Sequence, residues 1–239
     1  MDIPQLDPDV KLLTMCSSHQ RPDRVQTMIQ TFNETKNKET ELVIYVSEND
    51  IKIDDYRKSL VGTKHIIGPY KTMVQVLNFL SCDCYPDMLY YQEVNDDHAY
   101  RTKDWDRKMM KAIDDKKGWA VAYGWTQNLP TAIMMSGKLV KTLGFFLPPQ
   151  FIHTYVDDFI CELSNELNLL VHLPEVVIEH MHPGFGKAVV DENYKWVYSM
   201  EQMTIGGQIL NEWRSKYRAN DIQRVRDAME REKNELSNR

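Results

Sequence analysis

The chain has 239 residues, 42% hydrophobic and 27% charged, which is enough apolar material for one or two folded domains and excludes a disordered chain. Lys and Arg number 29 against 35 Asp and Glu, a net charge of −6, so nucleic acid meets no global positive field and would need a local basic patch. No apolar run approaches the about 20 residues that span a bilayer. The N-terminal MDIPQLDPDV is acidic and broken by proline, unlike a signal peptide. The expectation is a soluble, cytoplasmic protein.

Strand-like and helix-like segments alternate over the first 180 residues. KLLTMCSS (11–18) is an apolar run ending in hydroxyls, and Arg21-Pro22-Asp23 then opens a helix with Val25, Met28, Ile29 and Phe32 on one face. ELVIYVS (41–47) is β-branched and continuous, as a buried parallel strand is, and HIIG (65–68) is a shorter strand. A helix follows through Met73, Val74, Val76, Leu77 and Leu80. MLYYQEV (88–94) is the next strand, and Trp105, Met109, Met110 and Ile113 mark the helix after it. WAVAYGW (119–125) and TAIMMS (131–136) are later strands. Such alternation implies parallel βαβ units in one α/β sheet.

After residue 180 the pattern changes. Ile205, Ile209, Leu210 and Trp213 are spaced to pack one helix onto the domain, and beyond Arg214 interleaved charges describe a solvated helix. The expected organisation is a domain over 1–199 and a helical extension over 200–239. The cysteines, Cys16, Cys82, Cys84 and Cys161, read as reduced thiols, since Cys82 and Cys84 lack a partner pair for zinc.

Ligands of open α/β sheets bind at the carboxyl ends of the strands. Ser17, Ser18, His19 and Arg21 follow the first strand, and Ser47, Glu48, Asn49 and Asp50 follow the second. Asn95, Asp96, Asp97 and His98 follow the fourth. No GxGxxG or GxxxxGK[ST] loop is present, which argues against a dinucleotide oxidoreductase and a P-loop NTPase. Two carboxylates and an imidazole past a buried strand need a positive partner, such as Mn²⁺ or Mg²⁺, unless they form a polar turn capping the next helix. Glu179-His180-Met181-His182-Pro183 offers more donors, because in an extended chain His180 and His182 point the same way. Lys187, in a Gly-flanked loop, offers charge to a phosphate. Asp157 and Asp158 open an amphipathic helix, which accounts for one carboxylate as cap or first-turn residue and leaves the other as a general base.

SSHQRPD (17–23), ELVIYVSEND (41–50), KTMVQVLN (71–78), NDDH (95–98), GKLVKTLG (137–144) with YVDD (155–158), and the late histidines follow one another in an order that resembles GT-A-fold glycosyltransferases, close to the family 2 pattern. The resemblance runs from about residue 10 to about 195. It implies a mixed, mainly parallel α/β sheet flanked by helices and a nucleotide-sugar donor, a UDP-sugar by resemblance only. It implies a divalent cation, Mn²⁺ or Mg²⁺, held by Asp96, Asp97 and His98 with His180 or His182, and donor contacts from Ser17, Arg21, Glu48, Asp50, Lys71 and Asp96. Asp157, beside Asp158, would deprotonate an acceptor hydroxyl and invert the anomeric carbon. The metal motif has two frames, Asn95-x-Asp97 and Asp96-x-His98; the second is similar to polypeptide GalNAc-transferases, which retain configuration.

Two other readings share the sheet. A sugar-nucleotide nucleotidyltransferase is disfavoured because Ser17 to Arg24 contains no glycine, and a non-catalytic sugar- or nucleotide-binding module is disfavoured by the polar residues at every strand end. The acceptor stays open between a saccharide, a protein, a small molecule and a hydroxymethylated DNA base, as a bacteriophage enzyme in host cytoplasm would modify. For the last, Arg214, Lys216, Arg218, Arg224 and Arg226 are the candidate basic track. Trp105, Trp119, Trp125 and Trp196 are either core or a stacking platform.

Overall fold

The structure is a computed structural model and describes residues 1–125 and 130–238. Strand β1 (Leu12–Ser18) is buried along its length, as its apolar run requires, and leads into α1 (Pro22–Thr35). Pro22 sits at the first position of α1, where its missing N–H costs nothing, and Val25, Met28 and Phe32 bury the inner face. Next come β2 (Thr40–Ser47), α2 (Ile53–Ser59) and β3 (His65–Gly68). Thr72 and Gln75 form a reciprocal capping box that starts α3 (Met73–Asn78), which runs on into a wider turn.

Strand β4 (Tyr90–Val94) is fully buried and is followed by β5 (His98–Tyr100), α4 (Trp105–Asp115), β6 (Val121–Tyr123), β7 (Met134–Ser136) and α5 (Gly137–Leu143). Then follow α6 (Val156–Glu166), β8 (Leu170–His172), β9 (Ile178–His180) and α7 (Glu192–Val197). The chain ends in α8 (Met200–Glu212) and α9 (Arg218–Ser237). Seven strands form one sheet in the order β3-β2-β1-β4-β7-β6-β8, and β5 pairs with β9 in a separate ribbon. The sheet is mixed and mostly parallel, with helices on its faces.

The mixed, mainly parallel sheet is as expected, and one strand makes it mixed. β7 runs antiparallel to both β4 and β6. The stretch between β6 and β7 is too short to hold a crossover helix, and parallel neighbours need one. The predicted strands at 88–94, 119–125 and 131–136 also shorten, and 126–129 lies outside the described residues. A helix cap is not the role of Asp96 and Asp97, because the turn they occupy leads into the strand β5. Among the tryptophans, Trp105 and Trp119 are core, whereas Trp125 and Trp196 are exposed.

One apolar core lies on each side of the sheet. The charged C-terminal segment belongs to the first, through Leu210, Trp213, Ile222 and Val225, with α9 lying against α5 and α6. Glu232, near the end of α9, accepts from Trp119 Nε1 at 2.5 Å. No helix among the described residues is long and apolar enough to cross a membrane. Because Ile222 is 3% exposed within this core, Ile222→Ala should cost about 2–5 kcal/mol and lower the midpoint of a single urea transition. An unchanged midpoint would mean that α9 contributes nothing to the fold.

Candidate active site

The carboxyl ends of β1 and β4, the turn before α6 and the segment after β9 enclose a cavity of about 670 Å³. Its charged centre is Arg21, whose side chain is 9% exposed. Arg21 Nη1 donates to Asp96 Oδ1 at 3.2 Å and lies 3.8 Å from Asp97 Oδ2. Its Nε and Nη2 donate to the two oxygens of Asp191 at 2.8 and 2.7 Å. Ser18 Oγ gives Asp96 Oδ2 a second hydrogen bond of 2.7 Å.

Backbone geometry presents this arginine. Gln20 is left-handed (φ 58), and its N–H donates to Asp50 Oδ2 at 2.9 Å. The Arg21 N–H donates to Tyr56 Oη at 2.8 Å, and that hydroxyl shares a 2.5 Å bond with Ser18 Oγ. Asp50 is therefore committed to bracing the turn, where it also lies 3.0 Å from His19 Nδ1, and it does not line the cavity.

Asp97 is 5% exposed and carries the sharper asymmetry. Its Oδ2 accepts from the Tyr194 hydroxyl and lies 3.3 Å from His180 Nε2. Its Oδ1 is buried with no hydrogen-bond partner among the described residues. Burial would raise this carboxyl, but His180 and His98, with the Tyr194 hydrogen bond, hold it well below the usual carboxylate range. Asp96 goes the other way, to about 6, because burial and the Asp97 charge outweigh Arg21.

The histidines divide. His98 and His180 face each other across the β5–β9 ribbon, and their rings stack at 4.5 Å. His98 is fully buried and takes the Asn95 N–H on Nδ1 at 3.0 Å, so in the neutral ring the proton sits on Nε2, which has no partner. The structure does not bring His98 to the cavity wall, while His180 and His182 both line it. His182 Nδ1 accepts from the Gly184 N–H at 3.0 Å and leaves its own Nε2 unpartnered.

Among the described residues, no group of three His, Cys, Asp or Glu side chains is arranged to hold a metal ion. The buried free oxygen of Asp97 nevertheless fits a hard divalent cation of the kind bound through one or two carboxylates, substrate phosphates and water. His182 would join through its unpartnered Nε2, and His180 by giving up its contact with Asp97 Oδ2.

Opposite Asp97, Tyr155 is left-handed (φ 65) and starts α6, placing Asp157 and Asp158 in its first turn rather than at its cap. Gly206 of α8 makes this possible: a Cβ there would strike Thr154 Oγ1 and the Tyr155 ring. Asp157 and Asp158 line the cavity, as do Ser17 and Lys71. Burial, then the neighbouring Asp158, pushes Asp157 up to about 7. Glu93, on the same wall, is raised to about 8 by burial and by Asp157. Glu48 is exposed away from the cavity, and Lys187 is paired with Glu179 at 2.5 Å, so neither is brought in.

No family model matches the sequence, and no curated protein matches it. Solved structures match its fold. Residues 1–349 of S. aureus TarS superpose with a TM-score of 0.55 at 11% identity, over 92% of this chain and 79% of that one. The chain covers 45% of the longer S. aureus TarS structure. The mannosyltransferase PcManGT from Pyrobaculum calidifontis, in complex with GDP-Man and Mn²⁺, gives 0.58 at 8% identity over 91% and 73%. Glucosyl-3-phosphoglycerate synthase from Mycobacterium tuberculosis, in complex with Mn²⁺, UDP and phosphoglyceric acid, gives 0.57 at 11% identity over 82% and 77%. The chain has a GT-A-type glycosyltransferase fold. Within that fold His153 and Tyr194 line the cavity, and Arg24 and Asp191 bond to Tyr194, without having been found in the sequence as site residues, while Glu93, also on the lining, opens the polar cluster that ends at His98. For Asp191 the available signal was a helix cap, Asp-Glu-Asn-Tyr, which says nothing of an arginine 170 positions earlier.

The titration pattern sets the sign of a pH effect. An unfolded chain loses these carboxyl protons near pH 4, whereas the folded protein keeps them on Asp157 and Glu93 to about 7 and about 8. The stability they provide is complete only below about pH 4 and is lost progressively as pH rises from there through the folded values. His98 and His153, lowered by burial to about 3 and about 4, act oppositely, and only below about pH 6.5. The melting temperature should therefore fall between about pH 6.5 and 9, and Glu93→Gln should flatten the upper part of that fall. A Glu93→Gln profile parallel to wild type would remove Glu93 as a source of the slope.

Proposed function

We propose that this protein transfers a sugar from a nucleotide-sugar donor to an acceptor hydroxyl, with the donor diphosphate at Arg21 and Asp97 and the acceptor at Asp157. The observation that carries this reading is one cavity of the GT-A fold with an ionised, unsatisfied carboxylate oxygen on one wall and a carboxyl of near-neutral pKa on another. The first suits a divalent cation that carries a diphosphate, and the second suits a general base.

Asp97 would hold the divalent cation, with His180 and His182 as further donors. When bound, the cation neutralises the charge that develops on the leaving diphosphate. Asp157 takes the proton of the acceptor hydroxyl, the acceptor oxygen bonds to the anomeric carbon, and the bond from that carbon to the diphosphate oxygen breaks. The product then has inverted configuration and a nucleoside diphosphate leaves. Ser17 and Lys71 stand on the nucleotide side of the cavity. The neighbours that bind UDP, UDP-GlcNAc and GDP-Man support a nucleotide-sugar and leave uridine and guanosine as the bases to test. At the mouth, exposed Trp196 and Tyr198 offer aromatic faces to a saccharide ring or a base.

Thermal-shift measurements with UDP, GDP and their sugars, with and without Mn²⁺ or Mg²⁺, test the donor assignment. Saturation at about 100 times the dissociation constant should add about 2.7 kcal/mol of stability. No shift with any of them would sink it. Asp157→Asn should reduce transfer by about 10²–10⁴-fold while donor binding persists, the range expected for losing a positioned base. Transfer at the wild-type rate would return Asp157 to a structural helix-start residue. Asp97→Ala should abolish the metal-dependent part of nucleotide binding, and binding that keeps its metal dependence would move the cation elsewhere.

A further inference from the structure

Two guanidinium groups from the start of α1 converge on one carboxylate late in the chain. Arg21 grips Asp191 with a two-bond fork, and Arg24 Nη2 lies 3.3 Å from Asp191 Oδ2. Arg24 also donates to the Tyr194 hydroxyl at 3.0 Å and to the Val189 carbonyl at 3.2 Å. That Tyr194 hydroxyl donates to Asp97, and its ring lies 4.1 Å from the Arg21 guanidinium carbon. An anion with two oxygens in an arginine fork, flanked by a second arginine, is the arrangement by which proteins hold phosphate.

We infer that Arg21 and Arg24 form a diphosphate site whose internal occupant is Asp191, while the Tyr194 hydroxyl holds Asp97 Oδ2, the oxygen beside the one that would bind a divalent cation. Residues 187–199 are then a strap that a nucleoside diphosphate displaces. The inference rests on the donor reading above and adds the occupant, the second arginine and the competition.

The way the strap is held fits this role. Val189, Val190, Trp196 and Tyr198 are exposed, and of its large apolar and aromatic side chains only Tyr194 and Val197 are buried. Its attachment therefore relies on charge, which a more highly charged ligand can replace. Gly186 precedes it in a left-handed conformation (φ 70) with open space around it, and Ser199, its last residue, caps α8, so a short helical turn and a helix bound the segment. The charges match as well. Asp96, Asp97 and Asp191 face two arginines, and exchanging Asp191 for a diphosphate with its cation keeps the cluster balanced.

Competition of this kind lowers apparent affinity by the fraction of open molecules, so a strap closed about 90% of the time weakens binding about tenfold. The test measures binding of UDP and of GDP, each with Mn²⁺, by calorimetry on the full chain. Asp191→Asn keeps a side-chain oxygen to cap the Tyr194 N–H but removes the charge, so α7 should still form. This variant should bind the nucleotide recognised by wild type about tenfold more tightly. Tyr194→Phe keeps the ring on Arg21 and should tighten binding of Mn²⁺ alone. Glu192→Gln is the control for a general field effect, since Glu192 pairs with Lys195 and not with Arg21, and it should change neither affinity.

Equal or weaker nucleotide binding by Asp191→Asn, with wild type binding normally, overturns the strap and leaves the donor site standing. A gain of the same size in Glu192→Gln overturns it too. If neither nucleotide binds wild type or any variant, the donor reading itself falls, and the strap with it.

Discussion

Arg21 is the charge around which the site is built. Three carboxylates, those of Asp96, Asp97 and Asp191, lie against one guanidinium that is itself nearly buried. Burying any one of them without a cation would cost several kcal/mol, so the local chain is arranged to deliver the arginine at a fixed position. Pro22 at the first position of α1 and the left-handed Gln20 set the direction of the turn. Tyr56 and Asp50, carried by α2 and the end of β2, hold its amides. The second βα unit thus serves the first, and a polar group that faces away from the cavity still decides its shape.

Contact with His180 and the Tyr194 hydroxyl, rather than distance from Arg21, then sorts the acids, since Asp96 bonds Arg21 directly and is still raised to about 6. Asp97, in reach of Arg21, His180 and Tyr194, is held ionised, while Asp157 and Glu93, without a cation of their own, are pushed to about 7 and about 8. Carboxyl groups of one chemistry are separated into a charge-bearing group and proton-holding ones by their surroundings alone. The proposed function, a cation on one side and a proton moved on the other, uses such a separation. The strained start of α6 at Tyr155, with Gly206 beneath it, is the backbone feature that keeps Asp157 on the proton-holding side.

The sheet was largely legible because parallel strands buried on both faces read as continuous apolar runs. β1, β2 and β3 fall within a residue of their expected limits, and Asp96 and Asp97 lie at a strand end as read. The antiparallel β7 was not legible, since TAIMMS carries no mark of strand direction. Local sequence also could not show that Asp50 and Lys187 are spent on His19, Gln20 and Glu179, because each pairing is set by folding. The same holds for Arg24, His153, Asp191 and Tyr194. Asp191 and Tyr194 read as the start of a short helix, which they are, and acquire a further meaning only against α1. His98 was legible as a polar residue of the turn but not as a buried one, because its burial depends on pairing with a strand 80 residues later.

That late strand links fold to motion. β5 and β9 are three residues each, and their ribbon stands apart from the main sheet. It fixes His180 beside Asp97 through backbone pairing, so this imidazole remains in the cavity whatever follows it. Among the described residues the segment beyond has no strand partner, and it is joined to the body by arginine contacts, the Lys187–Glu179 pair, the Tyr194 bond to Asp97 and two buried side chains. Elements with few apolar contacts are the first to open, and here the weakly held element is the one covering the most strongly charged surface of the cavity. A rigid histidine and a displaceable carboxylate, about ten residues apart, thus divide one charged site into a fixed wall and a removable one.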